Sequence, residues 1–106
     1  MVVYWSPNAR GILKSIFDYY LDAAGRKVAK KITGNIRMAA HSLGAMPFMA
    51  PQEEELPTGY RSLVVNKNFK VIYRVKETLG LVEIVSIFDC RQNPAKLRKS
   101  ILKSSN

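Results

Sequence analysis

Residues 81 to 88, LVEIVSIF, carry apolar side chains on both faces of a strand. Val82, Ile84 and Phe88 fall on one face; Leu81, Val85 and Ile87 fall on the other. Such a strand needs cover on both sides, which makes it a central strand. A chain of 106 residues has room for one domain, read here as 1–106. Helices below and another element above would give that cover. The strand runs straight into DCRQNP and then into a basic tail, AKLRKSILKSSN. Asn93 suits the cap of a short helix starting at Pro94, within a basic helix and tail over 94–106. Leu97 and Ile101 form its apolar pair, and Lys96, Arg98, Lys99 and Lys103 point elsewhere.

The helices are legible upstream. Val2 to Trp5 read as a strand. Ser6 and Pro7 start a helix whose apolar face is Ile12, Leu13, Ile16, Phe17, Tyr20 and Leu21. Gly25 is expected to end it as a left-handed cap. A second helix is expected over 26–43, with Val28, Ile32, Ile36, Ala39, Ala40 and Leu43 as its stripe. Gly34 inside it suggests a close approach of the two helices, which form an antiparallel hairpin. Residues 45 to 59, with three prolines and the acidic run Glu53 to Glu55, read as a solvated loop. Strands are expected at 60–66 and 69–76, turning at Asn66-Lys67-Asn68, and the turn Glu77 to Gly80 leads to the last strand. In the second of these, Phe69, Val71, Tyr73 and Val75 face one side, and Lys70, Ile72, Arg74 and Lys76 the other. The fold class is α+β: an N-terminal strand, a two-helix hairpin on one face of a small, mainly antiparallel sheet ending in a three-stranded meander, and a short basic C-terminal helix.

Seventeen Lys and Arg stand against eight Asp and Glu, a net charge of +9, which favours polyanions or an acidic partner. One cysteine, Cys90, excludes an internal disulfide. No C-x-x-C and no histidine pair exist, so no metal and no cofactor are expected. The opening residues are too short an apolar run for a signal peptide, no run reaches membrane length, and a cytoplasmic location is expected.

Three stretches carry a resemblance. YWSPNARGILKSIFDYY, YRSLVVNKNFKVIYRV and SIFDCRQNPAKL, in this order and spacing, resemble the RelE/ParE toxins of type II toxin–antitoxin systems. The resemblance covers about residues 3 to 102. It implies a toxin neutralised by an acidic antitoxin encoded beside it. RelE-like members are ribosome-dependent mRNA endoribonucleases; ParE-like members bind and poison DNA gyrase.

The residues choose between these activities. Cleaving RNA through its 2′-hydroxyl needs a proton acceptor, a stabiliser of phosphate charge and a proton donor. The nuclease branch implies Arg61, Lys70, Arg91 and Lys96 for these tasks. Leu63, however, stands where a second strand lysine falls in that branch, and no Tyr or His follows Tyr73. His41, the single histidine, reads as a surface residue near a helix end. A ParE-like binder needs no acid–base pair. For it the expected target-binding cations are Arg74, Arg91, Lys96, Arg98, Lys99 and Lys103. The apolar residues expected to receive the antitoxin are Ile72, Val85, Ile87, Leu97 and Ile101. Asp89 is expected to pair with Arg61 or Arg91, Trp5 and Tyr73 to pack in the core, and Cys90 to fill the strand end. The reading is a ParE-like toxin inhibiting gyrase by docking. The alternatives are a RelE-like endoribonuclease and a basic nucleic-acid-binding domain stacking bases on Phe48 and Tyr60.

Overall fold

Ser6 turns the first strand into the first helix. Its hydroxyl accepts from the Ala9 amide at 3.1 Å, and Pro7 opens the helix where no amide donor is needed. The structure is a computed structural model and describes residues 1–91, 96–99 and 101. The elements are β1 (Val2–Trp5), α1 (Pro7–Ala24), α2 (Arg26–Ser42), β2 (Tyr60–Val65), β3 (Phe69–Lys76) and β4 (Leu81–Asp89). Residues 96–99 and 101 are helical; the expected cap at Asn93 and Pro94, and Lys103, lie outside the described residues.

The sheet order is β1-β4-β3-β2, with β1 parallel to β4 and the other pairs antiparallel. The doubly apolar strand is therefore interior, as its pattern requires. Its two faces are covered differently. The helix hairpin packs on one, around Leu13, Ile36, Leu43, Val71, Tyr73, Val82, Ile84 and Ile87, with Trp5 at the margin. On the other face Ile72, Val85 and Phe88 meet Leu56 and Tyr60, and the C-terminal helical residues Leu97 and Ile101. The second element above the sheet is thus the basic C-terminal segment, helped by the loop.

The expected face assignment of β4 is corrected by a β-bulge. Ile72 pairs with Ser86 but Tyr73 pairs with Ile84, so Val85 is an extra residue. Past the bulge the alternation inverts, and Ile87 joins Val82 and Ile84 toward the helices, while Phe88 joins Val85 above. A bulge frees a carbonyl from the ladder. Here Val85 O accepts from Ser6 Oγ and Asn8 Nδ2, both at 3.1 Å. The WSPN stretch therefore caps α1 and secures the bulge at once.

Two glycine expectations resolve. Gly25 is the sole residue between the helices, at φ 91° and ψ 169°, a positive-φ extended conformation rather than the left-handed cap expected. That region is essentially open to glycine alone. A Cβ at Gly34 would meet nothing within 4 Å, so the expected close helix approach there is absent. The close approach is at Gly44, where a Cβ would lie 2.7 Å from Met1 O and 3.2 Å from Val3 Cγ2.

Candidate functional site

The proposed catalytic and target-binding cations lie on the sheet and its exits, and most are held by partners. Arg61 on β2 donates to Ala50 O at 2.6 Å and stacks over Phe48, 5.0 Å from the ring centre. It braces the 45–59 loop. Lys70 on β3 lies 2.6 Å from Glu53 Oε1. Glu53 is not a solvated loop residue, as expected, but is 5% exposed. Its other oxygen accepts from the Glu55 amide at 2.9 Å. Burial pushes its carboxyl up, but the bonds from Lys70, the Glu55 amide and Ser62, with the Lys70 charge, outweigh this and hold it below the ordinary range. A carboxylate so stabilised is a weak proton acceptor.

Arg74 binds Glu83 through Nε at 3.2 Å and a terminal nitrogen at 2.7 Å, and stacks over Tyr60 at 5.1 Å. Arg91 forks onto Asp89, with its closest contact at 2.6 Å, and reaches Tyr20 Oη at 3.4 Å. Of the two expected Asp89 partners, Arg91 is the one present. Its hydrogen bonds hold the Asp89 carboxyl below the usual range against partial burial, and Asp89 and Tyr20 push the Arg91 guanidinium up. Arg98 meets Glu55 O at 3.2 Å. Lys96 and Lys99 are exposed on the C-terminal helical segment.

These groups do not converge. Lys70 faces a cleft of about 620 Å³ with Glu53, Ser62, Cys90 and Leu97. Arg91 and Lys96 border a different cleft of about 650 Å³, under α1, with Ile16, Tyr19, Tyr20 and Ile87. Arg61 is turned onto the loop. Cys90 is partly buried and its thiol is pushed up by burial, which suits a strand-end filler better than a nucleophile. His41 is exposed in the last turn of α2.

The residues expected to receive an antitoxin are not an open surface. Ile72, Val85, Leu97 and Ile101 are buried against one another, and Ile87 lies on the opposite face because of the bulge. Sequence periodicity marks these positions as apolar, but it does not show that the chain's own C-terminal segment covers them. The stacking aromatics are occupied likewise: Phe48 lies under Arg61, and Tyr60 is 7% exposed under Arg74.

The family described as ParE toxin of type II toxin-antitoxin system, parDE, matches residues 3–94. The chain belongs to this ParE toxin family. A solved structure, described as the chromosomal ParDE TA system from P. aeruginosa, is 25% identical, with a TM-score of 0.72. The match covers 84% of this chain and 95% of that one. No curated protein matches. This ParE family member is therefore a toxin of a type II toxin–antitoxin system, and its family implies an antitoxin partner. Among the described residues no helix is long and apolar enough to cross a membrane, and no group of three metal-ligating side chains occurs.

One group of residues was missed by sequence reasoning. Gln52 bridges to Arg61, and Glu53 N and Ser62 N bond across to Tyr60 O and Pro51 O at 2.8 and 3.1 Å. Residues 51 to 53 thus line the outer side of β2. The proline-broken loop hides this, since three paired residues carry no periodicity of their own.

Proposed function

We propose that this ParE toxin acts in the cytoplasm by docking on DNA gyrase, with no hydrolytic step of its own, and that a cognate acidic antitoxin neutralises it. The observation that carries this reading is the dispersal of the basic residues. Arg61, Lys70 and Arg91 each have a protein acceptor, and they point to different parts of the surface. Such an arrangement offers, among the described residues, no shared gap for a phosphate and no matched acid–base pair. It leaves Lys96, on the rim of the cleft under α1, and Lys99 as exposed cations. A docking protein needs this much: fixed shape, an apolar cleft, and cations that speed encounter with an acidic surface.

The test is a gyrase supercoiling reaction with purified toxin. Loss of supercoiled product, or accumulation of cleaved DNA, is expected. Changing both Lys96 and Lys99 to Glu is expected to weaken the effect by about tenfold or more, as for charge reversal at an interface. An unaffected gyrase, together with codon-linked cuts in mRNA on translating ribosomes, overturns the proposal in favour of a nuclease.

A further inference from the structure

Beyond docking on gyrase, the outward face of α2 offers a contact of another kind. We propose that it carries the phosphate backbone of duplex DNA, with Gly34 as the point of closest approach.

Charge is the first observation. α2 holds five Lys and Arg and no Asp or Glu. Arg26, Lys27, Lys30, Lys31 and Arg37 are all exposed. At 3.6 residues per turn they fall within an arc of about 140°. Ala29, Ile36 and Ala40, on the other side, are buried. The acids of the chain serve other cations: Glu53 holds Lys70, Glu83 holds Arg74, and Asp89 holds Arg91. Among the described residues none of the five α2 cations forms an ion pair. The sheet cations are neutralised where they stand, whereas those on α2 are left to meet an outside anion.

Gly34 is the second. A glycine inside a helix weakens it. No packing within the fold requires this one, since a Cβ there would meet nothing within 4 Å. It lies in the cationic arc, with Lys30 and Lys31 one turn before it and Arg37 and Met38 one turn after. The missing side chain leaves a notch edged by three cations. Such a notch lets a phosphate group come close to the helix backbone.

The third is what the face lacks. α2 has no Phe, Tyr or Trp, so no large ring there stacks on unpaired bases, as in single-strand binders. Its apolar stripe is taken up by the core, which leaves no apolar side to enter a membrane. A second copy of the chain would set these cations against themselves. Cations without stacking partners touch phosphates and leave the bases unread. Only the choice of duplex DNA over duplex RNA rests on the gyrase reading, because a supercoiling enzyme holds duplex DNA beside whatever docks on it.

Fluorescence anisotropy of a labelled DNA duplex of about 20 base pairs, with the purified full-length toxin, tests this. With about four phosphate contacts, affinity is expected to fall by about a hundredfold between about 50 and about 200 mM salt. Lys31, unlike Lys30 and Arg37, does not border the groove between the helices, so it reports on the outward face. Lys31→Glu is expected to weaken binding by about tenfold and to lower the salt slope by about one. Lys67→Glu, the same charge change at the exposed β2–β3 turn, should weaken it by about twofold or less. Gly34→Leu should raise the urea midpoint, as a better helix former, and yet weaken binding by about fivefold or more. Equal losses from Lys31→Glu and Lys67→Glu overturn the placement on α2, and undiminished binding by Gly34→Leu overturns the close approach. No binding to the duplex at low salt, or tighter binding to single-stranded DNA or to duplex RNA of the same length, overturns the proposal. The duplex is tested without gyrase, so the two readings fail separately. Duplex bound with supercoiling unaffected counts against docking on gyrase alone; supercoiling lost without duplex binding counts against the α2 contact alone.

Discussion

The two edges of the sheet are treated in opposite ways. The β2 edge is closed by the chain's own loop: residues 51 to 53 bond along it, Arg61 holds Ala50, and Glu53 is buried against Lys70. The β1 edge has four residues, no neighbour on its outer side among the described residues, and exposed apolar groups around it. An edge left bare invites pairing, and proteins usually block it with charge, proline or a covering segment. Closure at one end and exposure at the other separate a self-contained part of the fold from a part suited to a partner.

If this contrast is right, damage to the closed edge costs more stability than damage to the open one. Glu53→Gln comes first. It leaves the Lys70 ammonium without its buried partner; because Lys70 is partly exposed, the expected loss is about 2–3 kcal/mol, below that of a fully buried pair. Urea denaturation measures it. The same pair gives an acid limb. The Glu53 and Asp89 carboxyls sit below their unfolded values. Their stabilisation is complete above the ordinary carboxylate range and is lost as pH falls through the depressed native values. The Glu53→Gln protein should show a shallower acid limb, and an unchanged one would remove Glu53 from the account.

Next in size is Arg61→Ala, expected to cost about 1.5–2 kcal/mol through the lost charged hydrogen bond to Ala50 O and the stacking on Phe48. Faster amide exchange at Glu53 and Ser62 should accompany it. Gly44→Ala acts at the open edge, where the new Cβ meets Met1 O at 2.7 Å. The contact is with backbone that the bond from Met1 N to Gly44 O ties in place, so the exposed start of β1 must give way, and about 1–1.5 kcal/mol is expected, toward the low end for overpacking. A loss larger than that of Glu53→Gln would reverse the ranking of the edges. The smallest effect belongs to Arg91→Ala. Its fork with Asp89 is solvent-exposed, and only a slight fall in the urea midpoint, less than for the other variants, is expected.

Much of the fold was legible before any coordinates. The Ser6-Pro7 cap, the helical stripes, the alternation over 69–76 and the doubly apolar last strand each depend on neighbours within a few residues. They place β1, α1, α2, β2, β3 and β4 to within a residue or so of where they lie. The site was less legible. Arg61, Lys70 and Arg91 were recognisable as basic residues, but their acceptors Ala50 and Glu53 sit 11 and 17 positions from Arg61 and Lys70. Asp89 is two residues from Arg91, close enough for the pairing to be read from the sequence. Ile87 falls on the face opposite to the one simple alternation predicts, because one extra residue at Val85 inverts the pleat. The groups that take up the freed Val85 carbonyl, on Ser6 and Asn8, are 79 and 77 positions away.

Local patterning in the chain was enough to specify the elements and the α+β class, because periodicity, caps and turns are short-range properties; the toxin superfamily entered through the resemblance of three ordered stretches. Three matters needed the folded molecule: which cations are already neutralised, which apolar stripe is covered by the C-terminal helix, and which sheet edge stays bare. Each depends on contacts between residues far apart in sequence, where the meeting is set by packing and not by spacing along the chain.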